Sequence, residues 1–90
     1  MSVEVVIPPF LQSLAGDNQT VMVSGRTVAA CLAELTRIYP ALKFRLFTSR
    51  GKLRRNISLF INGASVIPGD MDAAVHDSDK LYITSIIMGG

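Results

Sequence analysis

Ninety residues, 49% hydrophobic and 18% charged, with a formal charge of +2, suit one small domain with an efficient apolar core. No run approaches the ~18 apolar residues of a membrane span, and residues 1–5, Met-Ser-Val-Glu-Val, lack the basic and apolar regions of a signal peptide, so the expected location is cytoplasmic. The single cysteine makes no internal disulfide and no zinc or iron–sulfur site.

Val3, Val5 and Ile7 alternate with Glu4 and Val6, the period-two pattern of a strand, which Pro8-Pro9 ends. Gly16-Asp17-Asn18 is a turn cluster. Residues 21–23, Val-Met-Val, form a second strand, joined to the first by a long loop. Ser24-Gly25-Arg26-Thr27 breaks the strand and offers Thr27 as a helix N-cap. Val28, Cys31, Leu32, Leu35, Ile38 and Tyr39 fall at helical spacing, predicting a helix over 28–39 that Pro40 stops.

Residues 41–56 read as a partly packed basic loop with a short helical turn, in which Leu42, Phe44, Leu46 and Phe47 are interspersed. Ile57, Leu59 and Ile61 alternate in a third main strand. Asn62-Gly63 is a hairpin signal, and residues 65–67 return along it before Pro68-Gly69-Asp70 turns away. Asp77-Ser78-Asp79 is a further turn, and residues 80–87 form the last strand.

The order β-β-α-β-β-β gives an α+β domain with one main helix on one face of a mixed sheet. The helix spans ~18 Å, enough to cross such a sheet. This order matches the β-grasp, or ubiquitin-like, architecture, in which the last strand lies inside the sheet, parallel to the first. The expected core is Val3, Val5, Ile7, Val21 and Val23 against Val28, Leu32 and Leu35, completed by Leu59, Ile61, Leu81 and Ile83.

The sequence then closes on Ile86-Ile87-Met88-Gly89-Gly90. Glycine has no Cβ, so a Gly-Gly end is narrow and flexible. It threads into a tunnel that a larger residue would block, and nothing stands beside the terminal carboxylate. Residues 1–90 are therefore expected to form one domain with a flexible tail at 88–90. Elsewhere there is no phosphate-binding glycine loop, no metal-spaced His/Cys cluster and no catalytic triad. Cys31 sits at a core-like helix position. His76, the only histidine, reads as a surface residue. No acidic residue occurs between Leu35 and Gly69, whereas Lys43, Arg45, Arg50, Lys52, Arg54 and Arg55 crowd that stretch. It is a solvated loop or a dock for an acidic partner rather than a nucleic-acid patch, because the net charge is small and its aromatics look like core residues.

The β-grasp order, the length, the terminal Gly89-Gly90 and the segment GKLRRNISLFINGASV over residues 51–66 resemble the ubiquitin-like sulfur carriers, the MoaD/ThiS group. The likeness covers essentially the whole chain. The longer members serve molybdopterin or cysteine biosynthesis, and the chain is most similar to the cysteine branch. Its Ile86-Ile87-Met88 is bulkier than the Pro and small residues that many molybdopterin-synthase small subunits carry before Gly-Gly.

The resemblance implies a carrier and not an enzyme. A ubiquitin-activating-type enzyme, using its own ATP and magnesium, joins the Gly90 carboxylate to AMP. Sulfur then replaces AMP, and the Gly90 thiocarboxylate delivers sulfur to an acceptor on a synthase. Gly89 keeps the approach narrow. The chain binds no cofactor or metal of its own, and neither nucleic acid nor membrane is a partner. Two other functions are compatible with the residues: a protein modifier conjugated through Gly90, and a β-grasp binding module without terminal chemistry.

Strand alternation that sends Leu59 and Ile83 inward sends Met22, Phe60, Tyr82, Ile86 and Val6 outward. Large apolar residues on an open sheet face mark partner sites. The expected partner-binding set is Phe60, Ile86, Met88, Met22 and Tyr82, with Arg54 and Arg55 as its rim. The competing expectation is that the basic segment folds over this face and makes Phe60 part of a second small core.

Overall fold

The computed structural model describes residues 2–67 and 69–85; the expected tail at 88–90, with Ile86 and Ile87 before it, lies outside the described residues. The strands are β1 (Ser2–Val6), β2 (Thr20–Ser24), β3 (Ile57–Ile61), β4 (Ala64–Ser65) and β5 (Lys80–Ser85). They form one sheet in the order β2-β1-β5-β3-β4. β5 runs parallel to β1 and antiparallel to β3, so the last described strand lies inside the sheet, and the α+β β-grasp architecture is present as expected.

The main helix α1 (Val28–Ile38) starts where Thr27 leaves extended backbone and its hydroxyl accepts a 3.1 Å hydrogen bond from the Ala30 N–H. That satisfies one of the orphan donors of the first turn. Val28, Cys31, Leu32 and Leu35 repeat every three or four residues and are wholly buried. They pack on the sheet face that carries Val3, Val5, Val21, Val23, Ile57, Leu59, Leu81 and Ile83. Each such aliphatic side chain contributes about 1.5–3 kcal/mol on leaving water.

Three local expectations need correction, those for the loop after β1, the strand at 65–67 and Ile61, while the basic stretch has the short helical turn and partial packing expected of it. The long loop after β1 is a 3-10 helix over Pro9–Ala15 that buries Leu11 and Ala15 in the same core. Pro8-Pro9 stops the strand, but proline at a first helical position also starts a helix, because its missing N–H has no partner to lose there. The basic stretch turns through Pro40–Leu42, makes the short helix α2 (Lys43–Leu46) and bridges Phe47 to Leu53. Leu42 and Leu46 are wholly buried beside α1.

The strand expected over 65–67 is shorter and earlier, at Ala64–Ser65. Asn62 (φ 50°) and Gly63 (φ 89°) form the tight turn, as a two-residue hairpin with both centres at positive φ requires. Val66 still donates its N–H to the Leu59 carbonyl at 2.9 Å, and the chain then leaves the sheet with Ile67 exposed. Ile61, expected in the core, is half-buried at the hairpin end of β3, while Ile57 and Val75 are core residues that the expected list lacked.

Candidate functional site

β5 is held by a neighbour on each side. Glu4, Val5 and Val6 pair with Lys80, Leu81 and Tyr82; Ile57 to Ile61 pair with Ser85 to Leu81 on the other edge. The start of β5 is tied down as well. Asp79 accepts hydrogen bonds from the His76 N–H and the Asn62 side-chain amide, both at 2.8 Å, and Asn62 accepts from the Lys80 N–H at 2.9 Å. These bonds, that from His76 first, hold the Asp79 carboxyl below the usual carboxylate range. At the other end of β5, Ser85 is paired with Ile57 of β3.

The outward side chains of the sheet fall in rows set by the register. One row runs Thr20, Val6, Tyr82, Phe60, Ser65. Its three central residues are half-buried and form a continuous apolar strip across β1, β5 and β3. Met22, 56% exposed, stands in the adjacent row with Glu4 and Lys80, whose charged ends are 3.8 Å apart. The structure thus brings Phe60, Tyr82, Val6 and Met22 onto one face. The basic segment does not fold over it, because Leu42 and Leu46 enter the main core under α1 instead. Ile86, Met88, Gly89 and Gly90 lie outside the described residues.

Phe10 belongs to this site and the sequence reading passed over it. β1 and β5 are parallel, so the chain leaving β1 stands beside the end of β5. There Val6, Pro8, Pro9, Phe10, Tyr82 and Thr84 line a shallow, almost wholly apolar depression of about 540 Å³ that reaches Ser85. Phe10 is 51% exposed. The available signal was helical spacing in Pro-Phe-Leu-Gln-Ser-Leu-Ala: burying Leu11 and Ala15 turns Phe10 outward.

Arg54 and Arg55 are placed apart from that face. Arg54 donates its Nε–H to the Phe44 carbonyl at 2.7 Å, and both arginines line a groove floored by Ile57 and Leu59, without Phe60. Cys31 is wholly buried, and desolvation raises its thiol pKa, which favours the unreactive protonated form. His76 is exposed in the β5 approach loop. Among the described residues no three His, Cys, Asp or Glu side chains gather as metal ligands, and no helix is long and apolar enough to cross a membrane.

No family model matches the chain. The sulfur carrier protein CysO of Mycobacterium bovis is 32% identical over 93 aligned positions, covering 100% of both chains, and that of Mycobacterium tuberculosis matches equally well. The chain belongs to the ubiquitin-like sulfur carriers. Solved structures agree. SAMP1 of Haloferax volcanii superposes with a TM-score of 0.87 at 29% identity over 100% of both chains. CysO of Amycolatopsis orientalis, in its complex with BexX, gives 0.86 at 31% identity over 98% of this chain and 99% of that one. The family consists of small carriers rather than enzymes, consistent with a site built from an apolar face and a strand end.

Proposed function

We propose that this sulfur carrier acts through a thiocarboxylate on Gly90 and serves cysteine biosynthesis. The reading rests chiefly on the end-to-end similarity to CysO. A putative molybdopterin converting factor subunit of Pyrococcus furiosus, at 17% identity, shares the fold alone.

A carboxylate resists nucleophiles because it is negatively charged and has no good leaving group. In the proposed cycle a Gly90 carboxylate oxygen attacks the α-phosphorus of ATP on a ubiquitin-activating-type enzyme, which holds the magnesium. Pyrophosphate leaves and an acyl-adenylate forms. The terminal sulfur of a persulfide then attacks the acyl carbon and AMP leaves. A thiol cleaves the resulting S–S bond, producing the Gly90 thiocarboxylate and a disulfide. The soft thiocarboxylate sulfur displaces a leaving group from an acceptor carbon held by a synthase, and water then cleaves the Gly90 acyl bond, which frees the sulfur with the acceptor and returns the carboxylate.

This chain's part is docking and presentation. The Val6–Tyr82–Phe60 strip with Phe10 meets the partner enzyme, and the paired β5 aims the tail while Gly89 keeps it slim. The test is reconstitution of the chain with such an adenylating enzyme, ATP, magnesium and a persulfide donor, followed by addition of a cysteine-forming synthase. ATP-dependent gain of sulfur and its loss to cysteine support the reading. Sulfur gain without transfer to the cysteine acceptor removes the pathway assignment, and no gain removes the carrier chemistry. A second reading, conjugation to lysines of target proteins, is favoured by the similarity to a protein named as a small archaeal modifier; isopeptide adducts through Gly90 in the producing cell would identify it.

A further inference from the structure

A second groove, of about 580 Å³, lies between the chain leaving α2 and the segment that follows β4. Its floor is apolar: Ile57 and Leu59 are buried, and Leu53, Val66 and Met71 are half-buried against the core. Ile67 stands at its lip with 71% of its surface exposed. One wall is basic. Lys52, Arg54 and Arg55 line it and are exposed. The ion pairs among the described residues join Arg37 to Glu34, His76 to Asp79 and Lys80 to Glu4, so the charges of this wall have no acidic partner there. Residues 36–68 contain no Asp or Glu; Asp70 and Asp72, on either side of Met71 at the far wall, are exposed and form no ion pair with the basic wall among the described residues.

The wall is also built. The Lys52 carbonyl accepts from the Thr48 N–H at 2.7 Å, and the Arg54 N–H donates to the Leu46 carbonyl at 2.8 Å. The Arg54 guanidinium is steered by the Phe44 carbonyl. A wall whose backbone is tied down at Lys52 and Arg54, with the Arg54 guanidinium held in place, sets basic groups beside an apolar floor and suits something acidic and aliphatic at once. A small inorganic anion would leave Leu53, Val66 and Ile67 uncovered, and a plain apolar surface would leave three cations facing it.

We infer that this groove docks an extended acidic segment of a partner protein, with aliphatic side chains seated on Leu53, Val66 and Ile67 and carboxylates against Lys52, Arg54 and Arg55. The site is distinct from the Phe60 strip, so one partner occupies it while another meets the sheet face. Ile57 pairs with Ser85, which puts one end of the groove beside the foot of β5, where a docked partner stands close to the tail root. The inference does not depend on the tail's chemistry.

A random peptide library selected on the intact chain, with amide shifts recorded by NMR for the enriched peptides, tests it. The expected winners combine Asp or Glu with Leu, Ile or Val and shift Leu53, Val66 and Ile67. Arg55→Glu is expected to weaken them at least tenfold with the rest of the spectrum unchanged, and Val66→Asp to do the same. Enrichment without acidic residues, shifts confined to Val6, Tyr82 and Phe60, an equal response to inorganic phosphate alone, or concentration-dependent self-association through the same amides would each overturn the proposal. So would a library that yields no binder.

Discussion

Gly25 is where the structure makes its sharpest demand for a particular residue. It lies between β2 and the Thr27 cap, and an added Cβ would sit 2.8 Å from the Cys31 nitrogen, 2.9 Å from its Sγ and 3.1 Å from the Ala30 carbonyl carbon. The first turn of α1 has little freedom to retreat. Thr27 caps it, and the N–H groups of Val28 and Ala29 donate to the Ala73 and Met71 carbonyls at 3.0 and 2.8 Å. Gly25 is not among the positive-φ glycines, so in open space alanine would gain ~0.4–1 kcal/mol by restricting the unfolded chain. Overpacking of this kind costs about 1–3 kcal/mol and more where backbone is the obstacle.

Gly25→Ala is therefore expected to lose about 1–2 kcal/mol net of that gain, a fall in melting temperature of about 4–16 °C for a domain this size. Circular-dichroism melting of the variant beside Gly63→Ala separates causes. The Gly63 Cβ would meet nothing but needs φ +89°, so its cost is conformational. Adding Cys31→Ala to Gly25→Ala, compared with Cys31→Ala alone, recovers only part of the loss, since the backbone contact persists. A Gly25→Ala protein as stable as wild type, or more so, would refute the packing described at the β2–α1 corner.

Leu32→Ala removes a wholly buried side chain from the face of α1 and is expected to cost ~2–5 kcal/mol by denaturant titration; a loss under about 0.5 kcal/mol, the range of surface substitutions, would mean that the helix face is wrong. Acid is expected to destabilise the fold. Asp79, held low first by the His76 N–H, and Glu34, held low first by its hydrogen bond from Arg37, both have folded pKa values below their unfolded ones. Their stabilisation is present above the unfolded values of about 4 and is lost as pH falls through the folded values. The melting temperature should decline from about pH 5 to pH 3, less steeply in Asp79→Asn. Phe60→Ala is expected to weaken binding to the adenylating enzyme about tenfold, measured by calorimetry with the fold intact; unchanged affinity would move the dock off the strip.

The legible parts of the fold were those with strong period. Val3, Val5 and Ile7, the α1 stripe and the Asn62-Gly63 turn each specify one local geometry. The strip of Tyr82 and Phe60 followed from alternation alone, since residues opposite the core must face out. Phe10 did not, because proline both stops strands and starts helices, and only the burial of Leu11 and Ala15 decides between them. Arg54 and Arg55 adjoin β3 in sequence, yet hydrogen bonds to the carbonyls of Leu46 and Phe44 draw Arg54 towards α2. Such long-range backbone pairings leave no periodic trace. The same limit hid the second groove, whose walls come from segments that no local pattern joins.

The most direct test of the account is fragment-level mass analysis of the chain after exposure to the adenylating enzyme, ATP, magnesium and a persulfide donor. The account predicts a gain of about 16 Da, sulfur in place of one oxygen at an activated acyl group, confined to the fragment containing Gly90, dependent on ATP and absent when Gly90 is deleted from an otherwise folded chain. An unchanged mass with an enzyme proven active on another carrier, or a gain located on Cys31, would contradict it.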